Sequence, residues 1–429
     1  MLYELHELQK TVSAPLLAWV HASQRLFSNP YSPLAYTPVS RHIAASSELI
    51  TRLMRSYHKP AWGIDHALVA GEPAAEPHAL LAGTGVPVLI EPVLAKPFCH
   101  LLHFRKQAER PGPKVLIFAP LSGHHATLLR DTVRTMLRDF DVYLTDWVDA
   151  RMVPLARGAF HLDDYVDYCK EFIRFLGPGI ATVSVCQPTV PVLAAIALLA
   201  QAGDACVPYA MVMMGGPIDT RRSPTVVNEL AMGRPHSWFE DQVIHRVPFN
   251  YPGFMRRVYP GFLQHLSFIA MNADRHIEAH RQFFNHLIVG DGDSAEAHRR
   301  FYDEYNAVLD MPAEYYLDTL KVVFQDFLLA KGRWEVRGAL VRPEAIRNAA
   351  LFTVEGELDD ISGNGQTEAA HGLCRSIPSE KRRHLLARGV GHYGIFSGRK
   401  FRDTVYPQIR DFIKRWVCGF NVSAPARDS

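Results

Sequence analysis

The chain is 429 residues long, 48% apolar and 21% charged, the balance of a folded globular protein, which excludes the disordered and fibrous classes. Lys and Arg outnumber Asp and Glu by only 46 to 44 and are scattered along the chain, so nucleic acid is not an expected partner. The longest apolar stretch, residues 190–202, falls short of the ~20 residues that a transmembrane helix needs, and no transmembrane segment is expected.

Taken in chain order, residues 1–85 read as a helical N-terminal extension. Glu4, His6, Glu7 and Lys10 interrupt its beginning, unlike the apolar centre of an export signal. An apolar period over residues 42–57 ends at Pro60 and gives way to a small-residue-rich stretch. Residues 86–104 carry apolar and β-branched runs broken by Pro87, Pro92 and Pro97, and because proline removes a ladder donor these belong at a sheet edge.

From Lys114 onward strands and helices alternate. Strand runs stand at Lys114-VLIFAPL, Asp141-VYLTDW, Ile180-ATVSV and Tyr209-AMVMMGG. Helices are expected over residues 127–138, from Asp163, and from Thr189 to a stop at Gly203. This rhythm predicts an α/β fold with a mostly parallel sheet and right-handed crossovers. Residues 220–347 show no strand run and read as an inserted helical cap, with helices over residues 273–286 and 297–306. Strands return at Ala350-LFTVEGELDD and His384-LLARGV, and an amphipathic helix over residues 406–417 closes the chain. The core is thus expected from residues 86–219 and 348–429, flanking the cap.

Ser184-Val185-Cys186-Gln187-Pro188 stands between a β-branched strand and an alanine- and leucine-rich helix, the setting of a nucleophile elbow. A thiol at that turn is lifted clear of the sheet and faces a helix N-terminus, whose positive end favours thiolate. Glycine is usual two places to either side; Ser184 and Pro188 depart from that pattern. Chain order adds weight, because an α/β-hydrolase needs its acid after a late strand and its histidine in the loop that follows. Asp359 supplies the acid, with Asp360 as its rival, and His392 follows Gly389-Val390-Gly391. In this arrangement Cys186 attacks, His392 takes its proton, and Asp359 orients and stabilises the imidazolium. The oxyanion donors are expected to be the amide of Gln187 and one from Ser122 or Gly123 in the loop Ala119-PLSGHH. His124 and His125 have no third ligand at metallohydrolase spacing and the six cysteines form no CxxC pair, so no metal and no cofactor are expected.

With these residues in hand, the chain resembles the intracellular polyhydroxybutyrate (PHB) depolymerases over nearly its whole length. The resemblance rests on Pro120-LSGHHATLLRDTV, Asp146-WVDARMVP, Gly158-AFHLDDYV, Val185-CQPTVPVLAA, Val354-EGELDDISGNGQT and Gly391-HYGIF. It implies a cytoplasmic α/β-hydrolase that cleaves amorphous poly(3-hydroxybutyrate) in native granules, with Cys186, Asp359 and His392 as its triad. The polymer and the granule surface are the implied partners, and a homodimer is compatible with this reading. Leu121, His124, Trp147, Trp238 and Tyr393 are expected to face substrate. Phe239, Phe249, Tyr251, Phe254, Tyr259 and Phe262 are aromatic residues of the cap suited to an apolar groove. Three rival activities stay open: thiolysis by coenzyme A, a polyhydroxyalkanoate-synthase-like acyl transfer, and a granule protein without turnover.

Overall fold

The computed structural model describes residues 2–68, 85–108 and 112–419. Most of the small-residue-rich stretch after Pro60 falls on residues 69–84 and lies outside them. The N-terminal segment is a helical hairpin of α1 (Leu2–Ser28) and α2 (Ser40–Met54). Next come β1 (His66–Ala67), β2 (Val86–Ala95), β3 (Cys99–Lys106) and β4 (Lys114–Phe118). Helix α3 (Arg130–Met136) leads to β5 (Asp141–Trp147), and α4 (Leu162–Leu176) to β6 (Ala181–Val185). Helix α5 (Thr189–Gln201) then precedes β7 (Ala210–Met214).

A long insertion follows. It contains α6 (Val226–Gly233), α7 (His236–Val243), β8 (His245–Arg246), β9 (Arg257–Tyr259), α8 (Gly261–Met271) and α9 (Ala273–Val289). It continues through α10 (Gly292–Tyr305), β10 (Met311–Pro312), α11 (Ala313–Thr319), β11 (Glu335–Val336) and β12 (Ala339–Leu340). The chain re-enters the core with β13 (Ala350–Gly356), α12 (Ala370–Leu373), β14 (Arg382–Ala387), α13 (Gly398–Lys400) and α14 (Tyr406–Ile413). The insertion was expected to hold no strands. It holds a three-stranded sheet, β10-β9-β8, and the β11-β12 pair. Strands of two or three residues are too short to show an alternation of apolar and polar positions.

The central sheet has nine strands in the order β1-β2-β3-β5-β4-β6-β7-β13-β14. Strands β5, β4, β6, β7, β13 and β14 run parallel, while β1, β2 and β3 are antiparallel additions at one edge. Parallel strands are covered by helices on both faces, which is why β5, β6, β7 and β13 are buried along their whole length and are largely apolar. Strand β2 pairs with β3 along most of its length and on its outer side meets only the two-residue β1, so its prolines cost few ladder bonds there, and its register with β3 shifts between Pro92 and Leu94. This strand order, with helices crossing over both faces, is the α/β-hydrolase fold.

The two outer helices of the nucleophile region differ in how they pack. Helix α4 buries Leu162, Tyr165, Val166, Cys169, Phe172, Ile173 and Leu176, the i, i+3, i+4, i+7 stripe of a helix with one wet face. Helix α5 buries ten of its thirteen residues and is apolar all round, as a helix enclosed by the core must be. The insertion is clamped to the core by Arg256, whose guanidinium donates to the carbonyls of Val153 (2.9 Å), Pro154 (2.7 Å) and Gly158 (2.8 Å). Helix α1 is tied to the same region, where the Tyr3 hydroxyl donates to Asp310 at 2.7 Å. Among the described residues no helix is long and apolar enough to cross a membrane.

Candidate active site

Strand β6 ends at Val185, and the next residue, Cys186, has φ +67°, a left-handed backbone that a side chain other than glycine adopts only at a cost. Its amide is held by the Met214 carbonyl of β7 at 2.7 Å, and α5 begins three residues on, after Pro188. The turn therefore has the shape of a nucleophile elbow although Ser184 and Pro188 occupy the places where glycine is usual. The room comes from the residues just after the neighbouring strand instead. A β-carbon on Gly216 would stand 1.9 Å from Thr189 Oγ1 in the first turn of α5, and one on Gly215 would stand 3.2 Å from the His392 ring. We expect Gly216→Ala to cost roughly 1–3 kcal/mol of stability by overpacking, and Thr189→Gly in the same chain to recover most of it. Urea unfolding checks both, and a Gly216→Ala chain as stable as the parent would contradict the close approach.

The acid loop is organised by Glu355, a buried carboxylate at the end of β13. It accepts the amides of Gly365 (2.8 Å), Thr367 (2.7 Å) and Glu368 (2.9 Å), and so fixes the turn between them. Inside that turn Asp359 Oδ1 accepts the amides of Ile361 (2.9 Å) and Ser362 (2.8 Å), which leaves Oδ2 to accept from His392 Nδ1 at 2.7 Å. The Asp359 side chain is fully buried and that of His392 is 5% exposed. Asp360, one residue on, points outward and accepts from Asn272 of the insertion at 3.1 Å. Of the two carboxylates, Asp359 is the one that contacts the imidazole.

The Cys186 sulfur lies near enough to His392 to act on its ionisation. Burial by itself would push the imidazole pKa down. The Asp359 carboxylate and then the Cys186 sulfur outweigh it and hold the pKa well above its ordinary value. A thiol, an imidazole and a carboxylate are thus brought together at the carboxyl ends of β6, β13 and β14, where ligands bind in open α/β sheets.

The loop after β4 borders this group of residues. Gly123 has φ +109°, and a β-carbon there would stand 2.6 Å from Gln264 Oε1 of α8. The Leu309 amide donates to the Gly123 carbonyl at 2.7 Å and the Tyr315 hydroxyl to the Leu121 carbonyl at 3.1 Å. Ser122 is half-buried in this loop. Gln187, next to the nucleophile candidate, is buried, and neither polar atom of its side chain finds a partner among the described residues. His124 is buried against Phe268, and its Nε2 donates to the Tyr305 carbonyl at 3.1 Å. Burial, with His265 nearby, pushes its pKa down to about 4, so it is neutral at pH 7.

The residues expected to face substrate are distributed unevenly. Tyr393 has its ring 5.9 Å from that of His392 and 6.2 Å from that of Tyr305, and Cys186 is near enough to act on its ionisation. The Leu121 side chain turns into the core. Trp147 requires a correction. It is 2% exposed, its ring packs on Phe160 and Tyr165, and its indole N–H donates to the Ala119 carbonyl at 2.8 Å, so it supports the loop from beneath rather than touching a ligand. Trp238 packs on Phe239 under the Arg234 guanidinium, in a separate small cluster with Leu317 and Leu320. Of the other aromatic residues of the insertion, Phe239 is buried, whereas Phe249 and Phe254 are exposed. Tyr315 and Glu355 escaped the sequence reading. Glu355 had a visible signal, a carboxylate in an otherwise apolar strand, and Tyr315 had none.

A family model described as PHB de-polymerase C-terminus matches residues 215–417. The match takes in Asp359 and His392 and begins after Cys186. No curated protein matches the chain. Among solved structures, DcsB in complex with its substrate analogue has a TM-score of 0.43 at 13% identity, covering 77% of this chain and 100% of that one. A monoacylglycerol lipase from Paleococcus ferrophilus has a TM-score of 0.40 at 12% identity, covering 71% of this chain and 96% of that one. A thermophilic esterase from Thermogutta terrifontis has a TM-score of 0.39 at 12% identity, covering 77% of this chain and 98% of that one. The chain thus has the α/β-hydrolase fold, and its residues 215–417 are similar to the family described as PHB de-polymerase C-terminus.

Proposed function

We propose that this protein is a cytoplasmic depolymerase that hydrolyses the ester bonds of poly(3-hydroxybutyrate) in native granules through an acyl-cysteine intermediate. The observation that carries the reading is the left-handed Cys186 at the end of β6, near a His392 that Asp359 holds from behind. In the first step the Cys186 sulfur attacks an ester carbonyl while His392 takes up the thiol proton. The carbonyl electrons move onto oxygen, where the amides of Gln187 and of Ser122 or Gly123 receive the charge. Collapse of that intermediate expels the hydroxyl end of the polymer, which takes the proton from His392. Water, deprotonated by His392, then attacks the thioester; the carbon–sulfur bond breaks, the acid leaves, and Cys186 regains its proton from His392. Asp359 stabilises the imidazolium at each stage, which agrees with the raised pKa of His392. The insertion between β7 and β13 acts as the cap over this site, with Tyr393 and Tyr305 at its border.

The test is incubation of the protein with amorphous poly(3-hydroxybutyrate) granules, with and without coenzyme A, followed by chromatography of the soluble products. We expect 3-hydroxybutyric acid or its oligomers to appear without coenzyme A. Products seen only as thioesters would replace hydrolysis by thiolysis, and no soluble product under either condition would leave a granule-binding protein without turnover. Polymer growth from 3-hydroxybutyryl thioester would point to synthesis instead.

A further inference from the structure

Two carbonyls of the loop after β4 are taken by donors from the insertion. Tyr315 on α11 is 1% exposed; its hydroxyl donates to the Leu121 carbonyl at 3.1 Å, and Gln187 and Cys186 are near enough to act on its ionisation. Two residues on, the Gly123 carbonyl accepts the Leu309 amide at 2.7 Å, and the adjoining His124 ring donates to the Tyr305 carbonyl. In a trans peptide the C=O and the following N–H point in opposite directions. The described residues contain no cis peptide, so whatever holds the Leu121 carbonyl also sets where the Ser122 amide points. The Ser122–Gly123 peptide is then held from both sides, by Tyr315 before it and Leu309 after it.

We propose that Tyr315 is a positioning residue for the oxyanion site. It keeps the Leu121–Ser122 peptide with its carbonyl turned toward α11 and its amide turned toward the reacting ester, so that the docking of α11 completes the site. The inference rests on the Cys186 mechanism and the Ser122–Gly123 donors proposed above. Without the hydroxyl the peptide is free to rotate, and a carbonyl facing the developing negative charge would repel where a donor should attract. Phenylalanine at this position keeps the ring contacts with Tyr165 (5.6 Å) and Phe160 (6.0 Å), so the substitution removes only the hydroxyl, with its bond to Leu121 and its influence on Thr319 and Gln187.

The experiment compares Tyr315→Phe with the parent chain in three measurements. The first is turnover of a p-nitrophenyl ester. The second is affinity for a trifluoromethyl ketone, to which Cys186 adds by forming a carbon–sulfur bond, sending the carbonyl electrons to oxygen and the thiol proton to His392. The third is alkylation of Cys186 by iodoacetamide, which expels iodide and develops no oxyanion. Deleting an oxyanion donor outright costs about 10²–10³-fold, and a donor left present but no longer held should cost less, about tenfold or more in kcat and in ketone affinity. KM and the alkylation rate should stay within about twofold, because neither depends on the oxyanion donors. Unchanged ketone affinity would overturn the proposal. So would an alkylation rate that falls as far as turnover, since Tyr315 would then act on the thiol or on the fold. The ketone and iodoacetamide measurements need no polyester, so they judge Tyr315 whatever the natural substrate. Ester hydrolysis that survives Cys186→Ala would instead overturn the mechanism beneath it.

Discussion

Replacing Cys186 by alanine is expected to lower ester hydrolysis by on the order of 10⁴-fold or more, because removing a nucleophile removes the acyl-enzyme route altogether and leaves only what binding and the oxyanion donors supply. The variant should fold as the parent does. Cys186 is only partly buried, and alanine keeps the β-carbon while deleting one sulfur. Cys186→Gly separates the two duties of this position. It is equally inactive, but it relieves the left-handed backbone at φ +67°, a conformation that costs a side-chain-bearing residue roughly 1–3 kcal/mol. Glycine also has more freedom to lose on folding, so the net gain over Cys186→Ala should be about 1 kcal/mol, read as a higher urea midpoint. Hydrolysis within about tenfold of the parent in either variant would remove Cys186 from the mechanism.

The second large effect is expected from Asp359→Asn, a loss of about 10³–10⁴-fold in kcat, whereas Asp360→Asn should stay within about twofold. The contrast follows from geometry: Asp359 Oδ2 meets His392 Nδ1 at 2.7 Å, while Asp360 is exposed and bonded to Asn272. An asparagine at 359 carries no charge to favour the imidazolium and can present its amide group in place of the acceptor, which disturbs the tautomer as well. The pH dependence provides a second reading with a definite sign. Asp359 raises the His392 pKa, so its loss should move the ionisation of the imidazole to lower pH in the kcat/KM profile. The same linkage acts on stability. A histidine whose folded pKa lies above its unfolded value stabilises the fold fully below the unfolded value of about 6.5, and this contribution fades as pH rises through the raised folded value. Asp359→Asn should therefore lose this part of its stability on the acid side and converge toward the parent at high pH. An imidazole ionisation that stays in place, or moves upward, would contradict the assignment of Asp359.

Much of the core was legible before any coordinates. The runs at Val115, Val142, Ala181, Ala210 and Leu351 became β4, β5, β6, β7 and β13, because strands buried on both faces must be largely apolar, and that requirement is written locally. The position of Cys186 between a strand and a helix was legible for the same reason. The short strands β8 to β12 were not, since two or three residues carry no periodicity.

What the sequence determined by itself was order along the chain: a cysteine, then a carboxylate, then a histidine, each after a strand. The tertiary structure decided everything that depends on direction. Two adjacent aspartates look alike in a sequence, and only the turn held by Glu355 sends Asp359 to His392 and Asp360 to Asn272. The space for an elbow without flanking glycines comes from Gly215 and Gly216 just after a neighbouring strand, and Trp147, which looked like a substrate contact, turned inward to hold Ala119. Tyr315 reaches Leu121 from 194 positions away. Hydrophobic pattern is a property of neighbours in sequence, whereas the aim of a side chain is set by what packs against it, and those partners come from distant parts of the chain.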